Sequence, residues 1–206
     1  MIMSPAVRRF ALTTHVTSSV GWLGAVFVFL GHAVIGLTSQ DPQIVRGVYL
    51  VMEPAAWFAL LPLALAALLT GLVQSLGTTW GLFRHYWVVF KLLITVCATV
   101  ILLVYMSTFR EMAAVASDPR VDIGAVRNAS PALHAGLALA ALLIATCLAI
   151  YKPTGLTAFG RTRGGALEGQ TRSATAAWML AVAITAIVLM LLLIGVHLTG
   201  HRPGAH

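Results

Sequence analysis

Charge is what this sequence has least of. Only 9% of its 206 residues are Asp, Glu, Lys or Arg, while 59% are hydrophobic. Soluble chains carry roughly a quarter charged residues. So few charges cannot clothe so much apolar surface in water, and lipid is the solvent that fits. Acids are the scarcest, six against thirteen Lys and Arg, which leaves a formal charge of +7. In a soluble protein that excess would point to nucleic acid. Here the basic residues stand between apolar runs, where they report topology, and no nucleic-acid partner is expected. Cysteine is nearly missing too. Cys97 and Cys147 lie inside apolar runs and form no C-x-x-C pair, so neither a zinc nor a redox motif is present and both read as small packing residues. The sequence also lacks a phosphate loop, a nucleophile elbow, an H-E-x-x-H helix and a dinucleotide fingerprint. A non-catalytic protein is therefore favoured over an enzyme.

What is present is a set of five apolar runs, at about 16–37, 54–76, 86–107, 131–151 and 174–198. Each matches the roughly 20 residues a helix needs to cross the hydrocarbon core. No pattern of short alternating segments suggests a β-barrel. The fold class expected is all-α, a single-domain bundle of five transmembrane helices over residues 1–206. Arg8 and Arg9 precede the first run as they would in a signal peptide, but the run is long and ends without a small-x-small cleavage site, so a retained helix is expected.

Lys and Arg set the orientation. With the amino terminus inside, the inner segments hold Arg8, Arg9, Arg84, Lys91, Lys152, Arg161, Arg163 and Arg172; the outer ones hold Arg46, Arg110, Arg120, Arg127 and Arg202. That bias favours a cytoplasmic amino terminus and an external carboxyl terminus. Aromatic residues mark the interfaces, with Trp80, Phe83, Tyr86, Trp87 and Tyr151 on the inner side and Tyr49, Trp57 and Tyr105 on the outer. Glu53-Pro54 reads as the start of the second helix, Pro62 as a kink within it, Ser130-Pro131 as the start of the fourth and Lys152-Pro153 as its end. Gly24 and Gly31 share a face of the first helix, and Ala138, Ala141 and Ala145 share one of the fourth; the two faces are expected to pack together.

Histidine supplies the only constellation with chemical interest. On the inner side are His15 and His85, on two different helices; such a pair can ligate haem iron from both faces. On the outer side are His32, His134 and His197, and imidazole suits zinc, copper or haem iron. The candidate cofactor ligands are thus His15, His85, His134 and His197 for a b-type haem, and His32, His134 and His197 for a metal such as copper. The alternative is that all are interfacial side chains wetted by headgroups. His201 and His206 are expected in solvent. Lys91 sits well inside the third run. It is expected to snorkel to the inner headgroups, the alternative being a partner within the bundle, with Thr95 and Thr99 continuing its stripe.

The segments His15-Val-Thr-Ser-Ser-Val-Gly-Trp-Leu-Gly24 and Thr70-Gly-Leu-Val-Gln-Ser-Leu-Gly-Thr-Thr-Trp-Gly-Leu-Phe-Arg-His-Tyr-Trp-Val-Val-Phe-Lys91 resemble an uncharacterised actinobacterial family of small integral-membrane proteins, a domain of unknown function with a pattern loosely like that of CopD copper-resistance proteins. The resemblance covers roughly the first half of the chain. It implies a bacterial plasma-membrane location and supplies no catalytic residues. This chain lacks Met-rich metal clusters.

Three functions follow as expectations. The first is a membrane protein binding haem b or copper through its histidines, with a membrane redox partner. The second is a non-catalytic accessory or assembly subunit, which would pack against another membrane protein or a second copy of itself. The third is a small-solute transporter, which the nearly apolar helix centres disfavour. A carboxyl-terminal reporter that is active only in the cytoplasm is expected to stay silent; an active one would reverse the orientation.

Overall fold

In a computed structural model the described residues are 3–160, apart from 79–80, 126, 154 and 158–159. The fifth apolar run, with His197, His201 and His206, lies outside them. Helix α1 spans Pro5–Thr38. The Ser4 side chain accepts from the Val7 backbone N–H, and Pro5 occupies the first turn, where its missing donor costs nothing. After a short break, α2 covers Pro42–Ala55, a single π turn covers Ala56–Leu60, and α3 covers Leu61–Gly77. Helix α4 is Tyr86–Ser117 and α5 is Ser130–Tyr151, joined by a loop with one 3₁₀ turn at Ile123–Ala125. Lys152 closes α5 in the left-handed conformation, φ 40°.

These elements form four rods long and apolar enough to cross a membrane: Pro5–Thr38, Pro42–Gly77, Tyr86–Ser117 and Ser130–Tyr151. Their apolar residues also point outward. Phe10 is 74% exposed, Phe58 84% and Ile150 69%, a surface that water would penalise and lipid would not. The chain is a multi-pass membrane protein.

The second rod begins earlier than the sequence suggests. Its start signal is Asp41-Pro42, not Glu53-Pro54: the Asp41 carboxylate accepts from Gln43 N–H at 2.8 Å. Residues 42–53 are held in helix because Val45, Val48, Tyr49 and Met52 recur at helical spacing and are buried against α1 and α4. Pro54 therefore lies inside the helix. The π turn follows directly after Pro54 and just ahead of Pro62. It is the wider coil that accommodates backbone groups a proline leaves unbonded. Likewise α4 continues past residue 107, because Phe109, Met112, Ala113 and Ala116 bury against the early turns of the second rod.

The rods close a ring. Helix α1 packs on α3 and α5, and α4 packs on α2, α3 and α5. The diagonal partners α1 and α4 do not approach through their backbones among the described residues; they meet through side chains such as Phe29 and Phe109, whose rings stand edge to face at 5.5 Å. Gly24 and Gly31 do not serve the close packing expected of them, since a side chain at either would meet nothing within 4 Å. The close approaches on α1 are at Gly21, where an added Cβ would lie 3.1 Å from Leu63, and at Gly36, where it would lie 3.0 Å from the Tyr49 ring and hydroxyl. Tyr49 and Tyr105 are 1% and 3% exposed. They are core residues turned inward and not members of an interfacial belt. Trp57 is 41% exposed and Tyr151 80%, as belt residues should be. Cys97 and Cys147 are both free thiols.

Two clasps tie the rod ends. At one end, Arg46 of α2 donates to the carbonyls of Ala116 at 3.0 Å, Asp118 at 2.8 Å and Val121 at 2.6 Å. Its cation thus satisfies one carbonyl that the last turn of α4 leaves open, Ala116, and two in the segment that follows. Arg127 adds a bond to Ser39 O at 2.7 Å. At the other end, the hairpin between α3 and α4 pairs with the strand-like stretch after α5. His85 and Leu156 form an antiparallel bridge, and Thr157 N–H donates to Arg84 O at 3.0 Å. Replacing Arg46 with Met is expected to cost about 1.5–3 kcal/mol, the usual cost of losing hydrogen bonds to a charged group. A lower unfolding midpoint in detergent would show it, and an unchanged midpoint would mean that solvent replaces the clasp.

Candidate functional site

Towards the hairpin end the rods leave a half-open chamber of about 680 Å³, whose edge includes the exposed side chains of Leu12, Val16, Val20 and Ile150. That volume is in the range of small-molecule pockets, roughly 300–1,000 Å³. Arg8, Arg9 and Lys152 are at its basic mouth, and Trp22, Leu23 and Leu142 are among its apolar lining. Between these zones stand His15 of α1 and Lys91 of α4.

His15 is 8% exposed and buried in the bundle. Its Nδ1 lies 3.1 Å from Thr70 Oγ1 on α3, and its Nε2 lies 3.0 Å from Lys91 Nζ. The Thr70 hydroxyl donates in turn to Ala66 O. An ammonium can only donate. With Lys91 charged, His15 Nε2 is the acceptor, and the ring proton sits on Nδ1 facing Thr70. The result is a one-way chain from Lys91 through His15 and Thr70 to a backbone carbonyl. The imidazole reaches this position because Gly71 offers no side chain: a Cβ there would stand 3.1 Å from His15 Cε1. One helical turn further on, Gln74 donates to Ala11 O at 2.9 Å and ties α3 to α1 beside the pair.

Lys91 therefore does not snorkel to the headgroups. It turns inward and meets His15 across the diagonal of the bundle. Thr95 and Thr99 continue its stripe, but their hydroxyls donate to Lys91 O and Thr95 O, each at 2.8 Å. Those protons are used within the helix and are not displayed to the chamber. Among the described residues no carboxylate lines the chamber, and the single ion pair is a loose one, Arg110 to Glu53 at 3.9 Å, elsewhere.

The other candidate histidines fall in different places. His85 precedes the first turn of α4 with an extended backbone, its ring 6.4 Å from Trp87. It stands six residues ahead of Lys91, or about 9 Å along the helix axis, at the hairpin and outside the chamber lining. His32 returns its Nδ1 to Val28 O of its own helix at 3.0 Å. His134, 7% exposed, lies with its ring 4.3 Å from the Tyr105 ring and tilted 36° to it. Its Nδ1 lies 2.9 Å from Ser130 O, while the Tyr105 hydroxyl meets Ser130 Oγ at 2.9 Å. This cluster borders a second, apolar cavity of about 70 Å³, lined also by Trp22, Phe29 and Phe109. His197 lies outside the described residues. Among the described residues, no group of three or more His, Cys, Asp or Glu side chains could hold a metal ion.

Thr70 and Gln74 were not singled out by the sequence, nor was the meeting of His134 with Tyr105 and Ser130. A signal existed for the first two, since Thr70 and Gln74 are polar residues one turn apart inside an apolar run. In ¹⁵N spectra of the membrane-embedded protein, the His15 proton is expected on Nδ1; a proton on Nε2 would mean that Lys91 is not the donor. Replacing Thr70 with Val is expected to destabilise by about 1–3 kcal/mol, the cost of an orphaned buried donor, and Thr70→Ser to restore it in detergent unfolding. Comparison with family models, with curated proteins and with solved structures returns no match for this chain.

Proposed function

We propose that this is a non-catalytic binding protein of the bacterial plasma membrane, whose chamber takes up a small amphipathic molecule. The observation that carries this reading is the 680 Å³ chamber, apolar in its walls and crossed by a polar pair, His15 and Lys91. A pocket of mostly apolar lining with a few converging polar groups is the usual form of a small-molecule site. In this reading the run at 174–198 adds the fifth span, and the mouth faces the cytoplasm, as its arginines and lysine favour.

Haem ligation by His15 and His85 is the weaker reading. Both ring nitrogens of His15 are already engaged, and His85 stands a turn and a half beyond the chamber's polar pair. The protein purified in mild detergent is expected to show no Soret band and no stoichiometric copper. The binding reading is tested with radiolabelled twelve-carbon alkyl probes on protein in phosphatidylcholine nanodiscs. Saturable binding that is lost in Ser19→Phe, which places a ring in the chamber, is the expected result. Binding that survives in Ser19→Phe, or no saturable binding of any probe, would overturn the reading.

A further inference from the structure

We infer that the molecule held in the chamber carries an acidic headgroup, a carboxylate or a phosphate, on an apolar tail. The inference rests on the chamber being a binding site and adds the class of its occupant.

Three observations converge. First, the chamber is graded along one axis. Counting along α1, it runs from Arg8 and Arg9 past His15 to Trp22 and Leu23. Fifteen residues of helix separate Arg8 from Leu23, about 22 Å. A head-and-tail molecule of that order of length would meet cations at one end and apolar side chains at the other. Second, the charge is of one sign. Arg8, Arg9, Lys91 and Lys152 line the chamber, with no acidic side chain among the described residues that do. Low-dielectric walls focus such a field on whatever enters.

Third, Lys91 is not accounted for by topology. Arg8, Arg9 and Lys152 serve orientation wherever they point, because they flank the apolar segments. Lys91 lies within one, points inward, and has its Nζ 3.0 Å from His15 Nε2 with no carboxylate beside it in the chamber lining. A cation in that position gains from a counter-charge, which an acidic headgroup would supply with charge-assisted hydrogen bonds.

The test compares four probes on the protein in phosphatidylcholine nanodiscs: dodecanoate, lysophosphatidate, dodecanol and dodecyltrimethylammonium. The first stands for a free fatty acid and the second for a phosphate headgroup of membrane lipid. At least one anion is expected to bind tenfold or more tightly than dodecanol, with the cation weakest. Lys91→Gln is expected to bring that anion down to the affinity of dodecanol, and Lys91→Arg to restore most of the preference. The double variant Arg8→Gln, Arg9→Gln gives an independent measure, with a smaller loss for the anion. Dodecanol binding as tightly as both anions, or an anion preference unchanged in Lys91→Gln, overturns the inference while leaving the chamber as a site. No saturable binding of any of the four removes the site itself.

Discussion

The contact between Lys91 and His15 is the constraint around which the hairpin half of this protein is arranged. It joins the two rods that are diagonal in the ring and otherwise far apart in backbone. A bundle of four rods packs well when its centre is filled with side chains, and around Trp22, Phe29, Tyr105 and Phe109 they leave a cavity of only about 70 Å³. Below that layer the centre is not filled. A long cationic side chain and an imidazole reach across it, and the space they leave is the chamber. Placing an ammonium inside a membrane bundle costs about 2.5–3.5 kcal/mol at mid-depth. The imidazole, Thr70 and the Ala66 carbonyl offset part of that cost by passing a chain of hydrogen bonds into the backbone of α3. The same chain fixes the side on which the His15 proton stands.

The two ends of the bundle solve the same problem in different ways. At the Arg46 end a guanidinium is spent on carbonyls of the α4 terminus, and the inner space is closed by aromatic packing. At the hairpin end the cations line an open space. The first arrangement is structural. Its donors are satisfied by backbone groups that no helix can otherwise pair in lipid. The second places Arg8, Arg9 and Lys91 along a volume large enough to be occupied, and this difference is the reason the proposed site lies at the hairpin end.

Four of the expected spans were legible because each depends only on local pattern: an apolar run of sufficient length and a cap beside it. The limits of the second span were not, because Asp41-Pro42 and Glu53-Pro54 carry the same start signal and only burial of Val45, Val48, Tyr49 and Met52 decides between them. His15 and Lys91 stood out in the sequence as polar residues in apolar runs. Their pairing did not, since no periodicity links one helix to another, and the snorkelling expected of Lys91 is the usual fate of a lysine near a membrane edge. The glycines show the same division. Gly24 and Gly31 formed the regular face, yet Gly36 and Gly71 are the positions where a neighbouring ring comes close. Which small residue is used depends on where Tyr49 and His15 arrive from other helices.

The clasp at the hairpin has a mechanical consequence. Just beyond α5, Gly155 O accepts from Tyr86 N–H and Thr157 donates to the carbonyls of Phe83 and Arg84, with Leu156 facing His85 between them. His85 leads directly into α4, and Lys91 is one and a half turns along that rigid rod. The stretch after α5 is thus a lever on the lysine. The first turn of α4 is thereby held to that stretch, while the imidazole that Lys91 meets belongs to a different rod. The clasp beside the mouth of the chamber and the lysine within it are thus joined through one continuous helix.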